Sequence, residues 1–241
     1  MTNKPAAGEA ERIGDNFAKL HDEVAAACRQ AGRQLSDVTI IGVSKYVGPR
    51  QTSLLVQAGC NHLGESRPQV LWQKAESDQI NQPVDWHMIG HVQRNKVKRM
   101  LRRPVRIHSI DSKRILDAIA ADGVERQTTH DVLIEVNISG DPDKTGLSIQ
   151  DAETLIASEP REGIRVSGLM TMASRRPEAG SAGSQFEKLR AYRDRWEIEH
   201  GVQLRELSMG MSQDFAEAID VGATLIRVGS RLFEGVTYDP A

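Results

Sequence analysis

Lys45 closes an unbroken apolar run, Val38-Thr39-Ile40-Ile41-Gly42-Val43-Ser44. A run so rich in β-branched residues reads as a strand buried on both faces. A lysine at its end has lost much of its hydration, which disfavours the ammonium and moves the amine toward nucleophilic chemistry. Such lysines form Schiff bases with aldehydes and ketones. The competing reading is a rim lysine whose stem lies on apolar surface while its charge reaches water. Further along, Ser208-Met209-Gly210-Met211-Ser212 and Arg227-Val228-Gly229-Ser230-Arg231 each close another apolar run and offer small residues and hydroxyls. Glycine there serves either a tight turn or a close approach of the backbone to an anion.

These residues are useful only if the elements bring them together. Ile13, Phe17, Leu20, Val24 and Ala27 recur at intervals of three and four within residues 8–33, which predicts an N-terminal helix. Eight strand-like runs follow, at 38–45, 62–65, 84–90, 106–111, 132–138, 166–171, 207–211 and 224–229. Helical patterns near 50–59, 66–76, 94–102, 112–123, 149–158, 184–200 and 213–221 separate them, with Ser112, Ser148 and Ser212 as caps. Alternating units imply a parallel sheet, and eight of them predict an α/β fold, a single (β/α)8 TIM barrel with an additional N-terminal helix. A doubly wound open sheet is the alternative. The expected organisation is one domain over 1–241, with 1–7 disordered.

In a barrel, ligand chemistry gathers at the C-terminal ends of the strands, and the loops after strands seven and eight are the usual phosphate cradle. An imine-forming lysine and an anion cradle at one barrel mouth describe a site for a phosphorylated aldehyde, of which pyridoxal 5′-phosphate (PLP) is the common one. Arg227 would then face the pyridine nitrogen and keep it unprotonated, or else make a structural ion pair.

Composition narrows the field. The chain has 31 Lys and Arg against 33 Asp and Glu, a net charge of −2, which supplies no bulk attraction to nucleic acid or anionic membrane. The basic stretch of Arg94, Lys96, Lys98, Arg99, Arg102 and Arg103 lacks interleaved aromatics and reads as a solvated helix face. No apolar segment is long enough for a membrane span, and no export signal is recognised. Two widely separated cysteines, Cys28 and Cys60, fit a reducing cytoplasm. The usual dinucleotide, P-loop and zincin motifs do not occur. His87 and His91 stand four apart, but Gly90 breaks any helix that would give them a shared metal face. His87 is instead expected near the ligand ring and His91 at the next turn. Asp111 and Asp214 read as capping carboxylates.

Several segments carry a resemblance. Val43-Ser44-Lys45, Leu63-Gly64-Glu65-Ser66, Trp86-His87-Met88-Ile89-Gly90-His91-Val92-Gln93-Arg94-Asn95-Lys96, Leu207-Ser208-Met209-Gly210-Met211-Ser212-Gln213-Asp214-Phe215 and Ile226-Arg227-Val228-Gly229-Ser230 resemble the pyridoxal phosphate homeostasis protein family. The resemblance spans roughly residues 10 to 236. It implies a barrel like the N-terminal domain of alanine racemase, with PLP on Lys45, its phosphate held around Ser208, Met209, Gly229 and Ser230, and Arg227 near the ring nitrogen. It also implies an intracellular carrier or buffer of PLP without robust catalysis, with PLP-dependent apoenzymes as candidate recipients. The family usually has Gly-Glu-Asn where this chain has Gly64-Glu65-Ser66.

Two other readings compete. A PLP-dependent racemase or lyase needs a second acid/base on the opposite face of the imine. The chain ends at Ala241, soon after the last strand, which leaves no added domain to supply that group. Tyr46 follows Lys45 directly and has a place near the mouth open to it, but strand alternation would point the two side chains apart. The third reading is an aldolase-like Schiff-base enzyme without PLP. A monomer is expected, since no large apolar patch is evident.

Overall fold

The computed structural model describes residues 8–158, 161–174, 176 and 180–238. The expected disorder of residues 1–7 lies outside them.

Eight parallel strands close into a barrel in chain order: β1 (Thr39–Val43), β2 (His62–Glu65), β3 (Asp85–Met88), β4 (Val105–Ile110), β5 (His130–Glu135), β6 (Ile164–Met170), β7 (Glu206–Ser208) and β8 (Leu225–Val228). The barrel, not the open sheet, is the fold. Its helices are α1 (Glu9–Gln30), α2 (Pro49–Gln57), α3 (Pro68–Ala75), α4 (Val97–Met100), α5 (Lys113–Arg126), α6 (Ile149–Ala157), α7 (Ala182–His200) and α8 (Phe215–Asp220). Each expected strand and helix is present, though several are shorter than their patterns. The stretch 94–102 divides into a 3-10 turn, Arg94–Lys96, and the single turn of α4. Ser148 caps α6, its hydroxyl accepting from the Asp151 N–H. Ser112 holds the capping position of α5 without a side-chain bond, and Ser212 caps nothing, because α8 starts at Phe215 with Asp214 before it.

Outward-facing strand residues meet the helices in one large core, to which α1 contributes Ile13, Leu20, Val24, Ala27 and Cys28. Ile41, Leu133, Met170 and Leu225 form a separate cluster. They come from β1, β5, β6 and β8, so they meet across the lumen. Polar side chains share that lumen, among them His108, Ser208 and Arg227. A one-residue bulge in β4, where Ile107 pairs with Val132 and Ile110 with Ile134, accompanies the inward turn of His108. His108 and Ser208, on strands that are not neighbours, are bonded at 2.8 Å.

Helix α1 packs along α8, α2 and the turn Ser230–Phe233 that follows β8. Asn16 donates to the Leu232 and Glu234 carbonyls, and Arg231 pairs with Glu23. The predicted N-terminal helix thus clamps the turn that carries Ser230.

Candidate functional site

At the C-terminal ends of the strands lies a cavity of about 350 Å³, lined by Lys45, Tyr46, Ser66, Arg227 and Ser230 among others. β1 ends at Val43, so Lys45 belongs to the turn beyond the strand and is half-buried. Strand alternation therefore no longer governs its neighbour. Tyr46, expected to point away, lines the same cavity, with the Lys45 Nζ 4.9 Å from its ring centroid. The Tyr46 ring also stacks on Tyr238 at 6.3 Å.

Arg227 forms the floor, only 4% exposed, its guanidinium donating to Ser208 Oγ at 2.7 Å and to the Thr171 carbonyl at 2.9 Å. Burial lowers Arg227 to about 10, against the opposing influence of Glu135 and Asp214. The reading of Arg227 as one half of a structural ion pair is not what the described residues show: its partners are a hydroxyl and a carbonyl.

Part of the cavity lining comes from the loops after β7 and β8. Gly210, at φ +91, turns the chain at the end of β7 where a Cβ would lie 2.6 Å from Ala218, and the next residues, Met211–Asp214, line the cavity. Asp214 accepts a hydrogen bond from the Met211 N–H, so its carboxylate braces this loop and does not cap α8. Ser212 and Ser230 meet across the two loops, Oγ to Oγ at 3.3 Å. Gly229 admits the β8 loop close to β1: a Cβ there would stand 3.1 Å from the Val43 carbonyl.

Of the expected site residues, the cavity brings together Lys45, Arg227, Gly229 and Ser230. Ser208 lies beneath Arg227, its hydroxyl already bonded to Arg227 and His108. Met209 is fully buried in the outer core and its N–H is bonded to the Leu225 carbonyl, so it has no donor to offer an anion. His87 sits below, buried between His62 and His108, and borders a cleft at the other end of the barrel. In the loop after β7 the cavity is thus lined by Met211–Asp214, and not by Ser208 or Met209. Sequence reasoning missed Met172 and Gln213 as cavity residues and placed Tyr46 near the mouth but pointing away; Ser212 carried a legible signal, a hydroxyl in the loop after strand seven. Asp111, read as a cap, instead bonds His91 Nδ1.

A primary amine, a buried guanidinium, two facing hydroxyls and a glycine at a close backbone approach form a donor set that fits a phosphorylated carbonyl compound. Ser66 occupies the cavity position where the resembled family carries asparagine.

A closed parallel barrel with this donor set at its C-terminal mouth is a barrel of the alanine racemase N-terminal class: the family model for the alanine racemase N-terminal domain matches residues 18–236. The chain belongs to the pyridoxal phosphate homeostasis protein family, being 34% identical to the Aquifex aeolicus pyridoxal phosphate homeostasis protein over 91% of this chain and 96% of that one. The Pseudomonas aeruginosa pyridoxal phosphate homeostasis protein is 30% identical, covering 94% of this chain and 96% of its own. Among solved structures, PipY of Synechococcus elongatus with PLP bound superposes with a TM-score of 0.79 at 25% identity, covering 92% of this chain and 99% of that one. Alanine racemase from Corynebacterium glutamicum, at 14% identity and a TM-score of 0.67, covers 96% of this chain and 65% of that one, and shares the fold.

Proposed function

We propose that this chain binds pyridoxal 5′-phosphate in the cavity at its barrel mouth and serves in PLP homeostasis, with Lys45 as the amine of a Schiff base. The carrying observation is that Lys45 and Arg227 border one cavity with Ser212 and Ser230. When bound, PLP supplies an electrophilic carbonyl and an electron-accepting ring. Ser212, Ser230 and the backbone around Gly229 hold its phosphate, and Arg227 faces the ring nitrogen. The names of the relatives and the PLP-bound PipY structure support the same reading.

Carriage without robust catalysis is the reading we favour. Besides Lys45, the described acid–base groups of the cavity are Tyr46 and Asp214. The Asp214 carboxylate is bonded to the Met211 N–H, and Tyr46 lies against Lys45 itself, where it does not serve an opposite face. Release to PLP-dependent apoenzymes is the use such a store would have. We take the chain as one domain and a monomer: among the described residues the exposed large apolar side chains are Tyr46, Val124, Ile198 and Tyr238. No helix of the described residues is long and apolar enough to cross a membrane; together with two free, buried cysteines this supports a cytoplasmic location.

The test is the visible absorption spectrum of purified protein with and without PLP, repeated after borohydride reduction and in Lys45→Ala. A Schiff-base band that reduction fixes covalently, and that the variant lacks, is expected; wild type without a band in excess PLP overturns the reading. Exchange of an amino acid α-proton with solvent far faster than with free PLP would favour the racemase or lyase reading instead.

A further inference from the structure

Two cavity residues, Lys45 and Ser66, each follow a residue that is sealed from water. Their predecessors Ser44 and Glu65 are fully buried, and Lys74 of α3, 1% exposed, is bonded to both. Lys74 Nζ donates to Glu65 Oε1 at 2.5 Å, to the Ser44 carbonyl at 2.8 Å and to Ser44 Oγ at 3.2 Å. An ammonium has three N–H donors, so all of them are spent on these two residues. Ser44 Oγ in turn donates to Glu65 Oε1 at 2.7 Å. Neither Lys74 nor Glu65 borders the cavity itself.

Stability alone does not account for such a pair. Burial pushes Lys74 below the ordinary lysine value against the attraction of Glu65, and Glu65 Oε2 is buried without a hydrogen-bond partner among the described residues. Apolar side chains of similar volume often fill such a space at equal or lower cost. An apolar pair would, however, have nothing with which to hold Ser44.

Ser44 is the residue at which β1 gives way to the lysine turn. Its N–H donates to the Gly64 carbonyl at 3.1 Å, and its carbonyl accepts from the Val47 N–H at 3.0 Å. Lys45 and Tyr46 are therefore the two central residues of a β-turn closed by that bond. The carbonyl that closes the turn is the same one that Lys74 holds.

We propose that the buried Lys74–Glu65 ion pair is a positioning device for the site: through Ser44 it fixes the β-turn that carries Lys45, and so sets where the amine stands in the cavity.

The proposal rests on the reading of Lys45 as the Schiff-base amine. A turn closed by one hydrogen bond opens locally at little cost, and the lysine side chain adds its own rotational freedom beyond the backbone. Holding Ser44 by its N–H, its hydroxyl and its carbonyl removes the backbone part of that freedom before any ligand arrives. The amine then meets a carbonyl compound from a fixed base, which is what placing a reacting group requires. Because Glu65 precedes Ser66, the same pair also ties the ends of β1 and β2 together at the cavity.

The experiment compares wild type, Lys74→Met and Lys74→Met combined with Glu65→Leu, each under conditions where circular dichroism finds it folded. In the first arm, without PLP, amide hydrogen exchange is followed by NMR. The double variant is expected to exchange the Val47 N–H about tenfold faster than wild type, while the interior of β1 keeps its protection. In the second arm PLP is titrated and the Schiff-base band recorded, and both variants are expected to need about tenfold more PLP than wild type. A purely structural pair behaves differently: affinity falls in Lys74→Met and returns with stability in the double variant. That return, or Val47 protection unchanged in the double variant, overturns the proposal. Ser44→Ala keeps the ion pair and removes only the hydroxyl between it and the turn, so it decides the matter if the double variant does not fold. Faster Val47 exchange is expected there too, and unchanged exchange overturns the proposal. Should wild type itself form no band, the reading of Lys45 fails, and the exchange arm alone decides whether the ion pair fixes the turn.

Discussion

His108 and Ser208 lie one hundred residues apart in the chain, and their side chains meet at 2.8 Å inside the barrel. Since β4 and β7 are separated in the sheet, the contact holds opposite walls of the lumen together through polar atoms. A neutral imidazole makes that bond with either tautomer, whereas a charged one at the same depth would be costly. Acid therefore acts on the centre of this protein.

His87, pushed down by burial to about 3, and His108, lower than usual for the same reason, do not bind a second proton in the folded state near neutrality. The unfolded chain binds one on each below about pH 6.5, so it holds more protons than the folded chain from there down toward the folded values. Stability is complete above that window and declines as the pH falls into it, by about 1.4 kcal/mol per pH unit for each such ring. Urea unfolding at successively lower pH should show this slope, and His87→Gln should reduce it by one proton's share. An unchanged slope in the variant contradicts the assignment.

Next to the lysine turn, Lys74 donates to Glu65 at 2.5 Å and to the Ser44 carbonyl at 2.8 Å, with both side chains of the ion pair essentially sealed from water. Lys74→Met leaves the carboxylate buried with Ser44 as its remaining partner, and is expected to cost about 3–5 kcal/mol. Lys74→Met combined with Glu65→Leu should recover more than half of that in denaturant unfolding. A double variant as unstable as the single one would show that the loss came from packing.

Burial drives the Cys60 thiol up to about 12 and raises Cys28 as well. The thiolate is the reactive species. Native protein at neutral pH should thus resist iodoacetamide, both cysteines becoming labelled only in step with unfolding by urea, as followed by mass. Rapid labelling without denaturant would contradict the packing around β1 and β2.

Gly229→Ala places a methyl group 3.1 Å from the Val43 carbonyl and 3.2 Å from the Val43 Cβ. Separating the two strand ends to admit it should cost about 1–3 kcal/mol of stability. The same displacement moves Ser230 relative to Lys45, so PLP titration followed by absorbance should show weakened binding. Unaltered PLP affinity in the variant would remove Gly229 from the cradle.

The fold was legible because parallel strands covered on both faces appear as plain apolar runs, and all eight were found. The cavity was legible where one residue type at a strand end has few uses, as for Lys45 and Arg227, which both border it. Met209 stands outside the cavity lining, and its strand context hides which way the side chain and the N–H are spent. Tyr46 misled because the strand stops at Val43, two residues before the lysine. His62 and His108 were visible only as strand residues: the partner of each comes from another strand, and no local pattern records a contact across a lumen.

The seam between β1 and β8 joins Thr39–Gly42 to Leu225–Val228. The amine of the site thus follows the first strand, while the guanidinium and the Ser230 turn arrive with the last. During synthesis, Lys45 leaves the ribosome long before any partner exists to make a pocket around it, and the pocket comes into being with the final pairing of the sheet. A nascent or truncated chain presents a bare lysine, so on the proposed function capture of the cofactor is an event of the finished barrel.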